Sequence, residues 1–150
     1  MMKKALALTA ALMSSNLLAE VTVVDPYVRA VPPGQPNSAA FMVLKNNDAA
    51  VSLVSASSSV AKVVELHTHT HKDGVMQMRK IDKVDVAAKG EAALAPGGNH
   101  VMLIGLTQQL KEGQQVDLTL KFSDGSSQQL TAPVRSVMKM GMSGGHKHKH

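Results

Sequence analysis

The sequence has 150 residues, with 16 Lys and Arg against 11 Asp and Glu, and neither cysteine nor tryptophan. Zero cysteine excludes disulfides, iron–sulfur clusters and thiolate metal centres, blue-copper electron-transfer sites among them. One tyrosine and two phenylalanines leave almost no platform for stacking bases, so the basic balance does not call for a nucleic-acid partner.

The chain opens Met1-Met2-Lys3-Lys4, followed by an apolar run over 5–13 and small or polar residues up to Ala19. That order of charged, apolar and cleavage segments is a secretory signal peptide over 1–19. The run is shorter than the ~20 apolar residues a spanning helix needs. Export to the periplasm is expected, with no stable membrane insertion after cleavage. The cut also offers no cysteine for a lipid. Without Lys3 and Lys4 the balance falls to 14 basic and 11 acidic residues.

From 20 to 135 the pattern is that of short strands broken by turn signals. Strands are expected at 21–24 and 27–31 around Asp25-Pro26, then at 38–45, where Phe41 and Val43 alternate with Met42 and Leu44 and both faces read as buried. Further strands follow at 51–55, 84–86 and 100–106. Two hairpins are expected, 62–70 with 75–81 across Lys72-Asp73-Gly74, and 115–122 with 126–134 around Asp124-Gly125. One short helical turn fits 107–111. No segment sustains a 3.6-residue period with caps, so the fold class is all-β, an antiparallel sandwich or Greek-key barrel. Residues 136–150 are Met, Gly, Ser, Lys and His with almost nothing to bury, which reads as a disordered, metal-binding tail.

Methionine and histidine carry the chemistry. His67, His69 and His71 alternate on one strand, and Met76 and Met78 alternate on the returning one. With Asp73-Gly74 as a two-residue turn, His71 faces Met76, His69 faces Met78, and His67 lies diagonal to Met78. His100 and Met102 share one face of a later strand, and Pro96-Gly97-Gly98 before them suits a loop that brings this strand to the hairpin. His67, Met78, His100 and Met102 then form an N2S2 set. A thioether is soft and neutral and suits Cu(I) far better than Zn(II) or Mg(II), while imidazole tolerates both copper states. His69 is a possible further donor, and His71 and Met76 read as rim residues. In the tail, Met138, Met140 and Met142 suit Cu(I), and His146, His148 and His150 suit Cu(II).

The spacing of those four residues, with ten residues between His67 and Met78, 21 before His100 and one before Met102, resembles the signature of the periplasmic copper chaperones called PCu(A)C. The flanks are similar too: Asp25-Pro26-Tyr27-Val28-Arg29-Ala30, Val64-Glu65-Leu66-His67, Leu94-Ala95-Pro96-Gly97-Gly98 and Met102-Leu103-Ile104-Gly105-Leu106. The resemblance implies a cupredoxin-like β-barrel, the four motif positions as Cu(I) ligands, and delivery of copper to cytochrome c oxidase, especially the binuclear centre of subunit II, directly or through a thiol-type assembly factor. Many relatives carry Met where this chain has His69.

Arg29 and Glu65 read as structural ion-pairing residues, and Arg79, Lys80 and Lys83 as a solvated basic face. An oxidase or monooxygenase would need an open metal position and a substrate cleft. The sequence offers no candidate acid or base beside the four ligands and no aromatic-lined pocket. A non-enzymatic carrier is therefore expected, with copper buffering or resistance without a dedicated acceptor as the alternative.

Overall fold

A computed structural model describes residues 21–136; the expected signal segment and the tail with its six Met and His donors lie outside the described residues. Ten strands are formed: β1 (Val21–Arg29), β2 (Asn37–Asn46), β3 (Val51–Ser57), β4 (Ala61–Lys72), β5 (Val75–Ile81), β6 (Val84–Val86), β7 (Glu91–Leu94), β8 (His100–Leu106), β9 (Gln115–Phe122) and β10 (Ser127–Arg135). They ladder in the order β5-β4-β8-β2-β1-β10-β9-β3-β6, with β7 on β2. All the pairings are antiparallel except β1 with β10, where Val28 meets Val134. This junction divides the order into two layers, one of β1, β2, β4, β5, β7 and β8 and one of β3, β6, β9 and β10.

The core lies between the layers and draws on both. Leu44, Leu103 and Val101 come from the first, Leu53, Leu118 and Leu120 from the second, and all are fully buried. Period-2 alternation produces this packing, since each strand turns every other side chain inward. The result is the all-β architecture that the strand pattern implies, in the cupredoxin-like form that the family resemblance implies.

Local chemistry fixes the turns. Asp73 and Gly74 both have positive φ, 54° and 77°, the requirement of a two-residue type I′ turn whose twist matches the strands it joins. At Asp25, φ is 52° and the β1–β2 register shifts between Val24 and Tyr27. The two expected strands around Asp25-Pro26 are thus one strand with a bulge.

Two segments differ from expectation. Residues 107–111 form no helical turn. Thr107 N donates to Val60 O at 2.9 Å, and Val31 N donates to Leu110 O at 3.2 Å, so bonds to the connecting segments before β4 and after β1 replace the local ones a helix needs. Glu91–Leu94 is a strand although its two alanines give it little β-propensity. Its pairing of Leu94 with Met42 and Ala92 with Leu44 supplies the order.

Candidate metal site

The site lies on the outer face of the first layer, opposite the core. On β8, Val101 and Leu103 point into the core, so His100 and Met102 point away from it. On β4, Leu66 points inward and Glu65, His67 and His69 point outward. Cross-strand register then sets the partners. His67 stands opposite His100 and Glu65 opposite Met102 between β4 and β8. His69 stands opposite Met78 and His71 opposite Met76 between β4 and β5, with His67 facing Lys80. These are the pairings that a two-residue Asp73-Gly74 turn requires.

The histidine rings converge. Ring centroids are 5.9 Å apart for His67 and His100 and 5.3 Å for His69 and His100. His100 is 2% exposed. Burial pushes its pKa below the ordinary value, and the charges of His69, His67 and Arg29 push the same way against a bond to the Gly98 carbonyl. The ring is thereby held neutral, the form that ligates a metal.

Hydrogen bonds assign the free nitrogens. His100 Nδ1 lies 3.1 Å from the Gly98 carbonyl oxygen, so that nitrogen carries the proton and Nε2 is left bare. His67 Nε2 lies 2.9 Å from Glu65 Oε1, so in the neutral ring Nε2 donates and Nδ1 is left bare. Both bare nitrogens, His67 Nδ1 and His100 Nε2, are buried with no hydrogen-bond partner. A buried unpaired acceptor is costly and rare in a native protein. Two of them on facing rings fit an ion that accepts their lone pairs.

The sulfurs lie on the same face. Met78 and Met102 line a cavity of about 410 Å3 with His69 and His100, over the Phe41 ring. Neither methionine is part of the core; Met78 is 45% exposed. Among the described residues no three His, Asp or Glu side chains assemble as a metal trio. The thioethers of Met78 and Met102 stand beside the His69 and His100 rings in the cavity, and thioethers are soft donors. His69 belongs to the cluster, its Nδ1 lying 3.4 Å from the same Gly98 oxygen. Met76 lines the cavity at 50% exposure and His71 is exposed, both in keeping with a rim.

Three features of the neighbourhood depart from the sequence expectation. Glu65 stands beside a candidate ligand as a possible base, contrary to expectation. It is engaged, bonded to His67 and 3.9 Å from Lys80 Nζ. Its place two residues before His67 on an alternating strand is the signal that finds it. Phe41 puts an aromatic floor under the cavity, 6.1 Å from the His100 ring and 5.2 Å from the Tyr27 ring. Arg29 is not in an ion pair among the described residues; its guanidinium lies 5.5 Å from the Phe41 centroid. The expected basic face is partly paired as well, with Lys83 3.5 Å from Asp85.

A cupredoxin-like β-domain carrying imidazoles and thioethers on one outer face is the class these features define. A family described as "Putative lipoprotein LpqE-like" matches residues 21–134, and the chain belongs to that family, which is the PCu(A)C family of the sequence resemblance. It is 37% identical over 117 residues to "Putative lipoprotein Lxx21020" of Leifsonia xyli subsp. xyli, covering 77% of this chain and 69% of that one. The solution structure of CuI-DR1885 from Deinococcus radiodurans is 37% identical, with TM-score 0.65 over 85% of this chain and 86% of that one. The copper-bound PCuAC domain from PmoF2 has TM-score 0.65 at 21% identity, covering 77% of this chain and 92% of that one, which is a likeness of fold.

Proposed function

We propose that this protein is an envelope copper chaperone of the periplasm that holds Cu(I) through His67, Met78, His100 and Met102 and passes it to an acceptor, without catalysing a reaction. The observation that carries the reading is the pair of buried, unpartnered imidazole nitrogens, His67 Nδ1 and His100 Nε2, on the face that presents Met78 and Met102. The copper-loaded state of the Deinococcus relative supports the choice of metal. The lipoprotein relatives support export, although this sequence has no cysteine on which a lipid could be carried.

Neutral donors suit transfer. Cu(I)–thioether bonds can be exchanged one at a time for an acceptor's ligands, and Met78 sits at the exposed side of the set. The acceptor we infer is the binuclear centre of cytochrome c oxidase subunit II, or a thiol-type assembly factor on the way to it. Residues 20–135 form the carrier domain. Residues 136–150 serve as a second loading segment, with Met138, Met140 and Met142 for Cu(I) and His146, His148 and His150 for Cu(II). Mixing the Cu(I)-loaded protein with the apo soluble domain of subunit II and following both by NMR tests the assignment. Copper moving to the acceptor is expected; retention against every copper acceptor tried would identify a buffering protein instead.

A further inference from the structure

Copper binding leaves Arg29 on this face unexplained. Arg135, one strand over, is matched to Asp25 at 3.2 Å. Lys83, Lys80 and His67 also stand in ion pairs, and none of these includes Arg29. Its Nε is buried and bonds to nothing, while the guanidinium lies over Phe41, which itself neighbours the His100 ring. Arg29 therefore shares one cavity with His100, Met78 and Met102. Imidazoles and thioethers are neutral and the cargo is a cation, so a fixed positive charge on the same cavity opposes loading. A half-buried guanidinium whose Nε has no partner is retained at lower cost when a carboxylate meets it, and its planar fork donates to both oxygens of one.

Resting on the copper-transfer reading above, we propose that the Arg29 corner of the cavity is a docking subsite for an acidic side chain of the copper acceptor. The carboxylate pairs with the guanidinium, which lies 5.5 Å from the Phe41 ring centroid, while the acceptor's own metal ligands stand over Met78 and Met102. Copper remains Cu(I) throughout: each Cu–S or Cu–N bond that breaks is replaced by a bond to an acceptor ligand, the freed imidazoles stay neutral, and no electron moves. Asn37 adds a polar wall, its Oδ1 accepting from Gly105 N at 3.2 Å so that its amide nitrogen remains a donor. A protein rather than a free anion fits because the rim beside Arg29 is apolar and exposed, Met76 at 50% and Met78 at 45%. Lys80 is exposed on the same face of the strand that carries Met76 and Met78, which favours an acidic partner surface.

Two blocked tetrapeptides, each with two methionines and differing only by glutamate or glutamine, test this on the full chain by NMR. In the apo protein the glutamate peptide is expected to bind several-fold more tightly, to shift the Arg29 Nε–H resonance, and to lose its advantage in Arg29→Gln and in high salt. Arg29→Lys, which keeps the charge without the fork, is expected to retain part of the preference and guards against a folding defect. From the loaded protein the glutamate peptide should withdraw more Cu(I) than its neutral twin. Equal binding of the two peptides, or a preference that survives Arg29→Gln, overturns the proposal. Acetate saturating Arg29 at the peptide's own concentration also overturns it, by assigning the corner to a free anion. If the chain failed to bind copper at all, the apo preference at Arg29 would still be measurable, so the two failures are distinguishable.

Discussion

His67 and His100 face each other across one rung of the β4–β8 ladder, yet they offer different nitrogens, because Glu65 takes the Nε2 proton of one and Gly98 the Nδ1 proton of the other. Outer-shell partners of this kind hold a ligand's tautomer and are worth about 10–100-fold in metal affinity when lost. Glu65→Gln keeps an oxygen that accepts from Nε2, whereas Glu65→Leu does not. The glutamine variant is expected to hold Cu(I) close to the natural protein and the leucine variant about tenfold more weakly, read by competition with a Cu(I) chelator. 15N NMR of the imidazoles should show His67 changing tautomer only in the leucine variant. Met78→Leu and Met102→Leu remove one sulfur each at nearly constant volume, a swap that usually costs under about 1.5 kcal/mol of stability. Each is expected to weaken Cu(I) binding by tenfold or more, about 1.4 kcal/mol, while leaving the fold intact by circular dichroism. The spacing of the four proposed ligands is read directly from the sequence, and the two-residue Asp73-Gly74 turn brings His69 opposite Met78. Glu65 was legible as an ion-pairing residue, but its particular partners and the unpaired state of Arg29 were not, because they depend on which partner a long side chain chooses among several in reach.

The β4–β5 hairpin is the element that brings Met78 to the histidines. Among the described residues β5 ends the strand order and pairs only with β4, and its side chains are nearly all exposed. Its position depends on the turn. Gly74 has φ 77° with open space around an added Cβ, so a substitution there is disfavoured by backbone strain rather than by a clash. Gly74→Val forces a β-branched residue into the left-handed region at a cost of about 1–2 kcal/mol. The expected result is faster amide exchange over Val75–Ile81 and weaker Cu(I) binding, with core amides such as Leu103 and Leu118 protected as before. Slowing at β5 or a global loss of protection would contradict this. Asp-Gly between alternating residues made this element readable from sequence, since a two-residue turn sets every facing pair. The segment at 107–111 and strand β7 were not readable, because backbone bonds to Val31, Val60 and β2 determine their conformation and no local propensity records those partners.

At the scale of the molecule, one strand serves both the core and the site. Leu103 and Val101 fill the interior from β8 while His100 and Met102 occupy its other face. Stability and metal binding are therefore linked through β8 but separable by face. Leu103→Ala leaves a cavity between the layers and is expected to cost about 2–5 kcal/mol, seen as a lower denaturation midpoint in both apo and loaded protein. Copper acts from the outer face by mass action. A ligand that binds the folded state alone stabilises it by about 2.7 kcal/mol at a free concentration 100 times its Kd. Loading with Cu(I) is thus expected to raise Tm, and a chelator to return it to the apo value. Met102→Leu should start from an apo Tm near that of the natural protein and gain less on loading. Leu103→Ala should start lower and gain as much. A Met102→Leu protein with an undiminished copper-dependent rise would remove Met102 from the ligand set, because the stabilisation measures differential affinity and nothing else in that variant changes it.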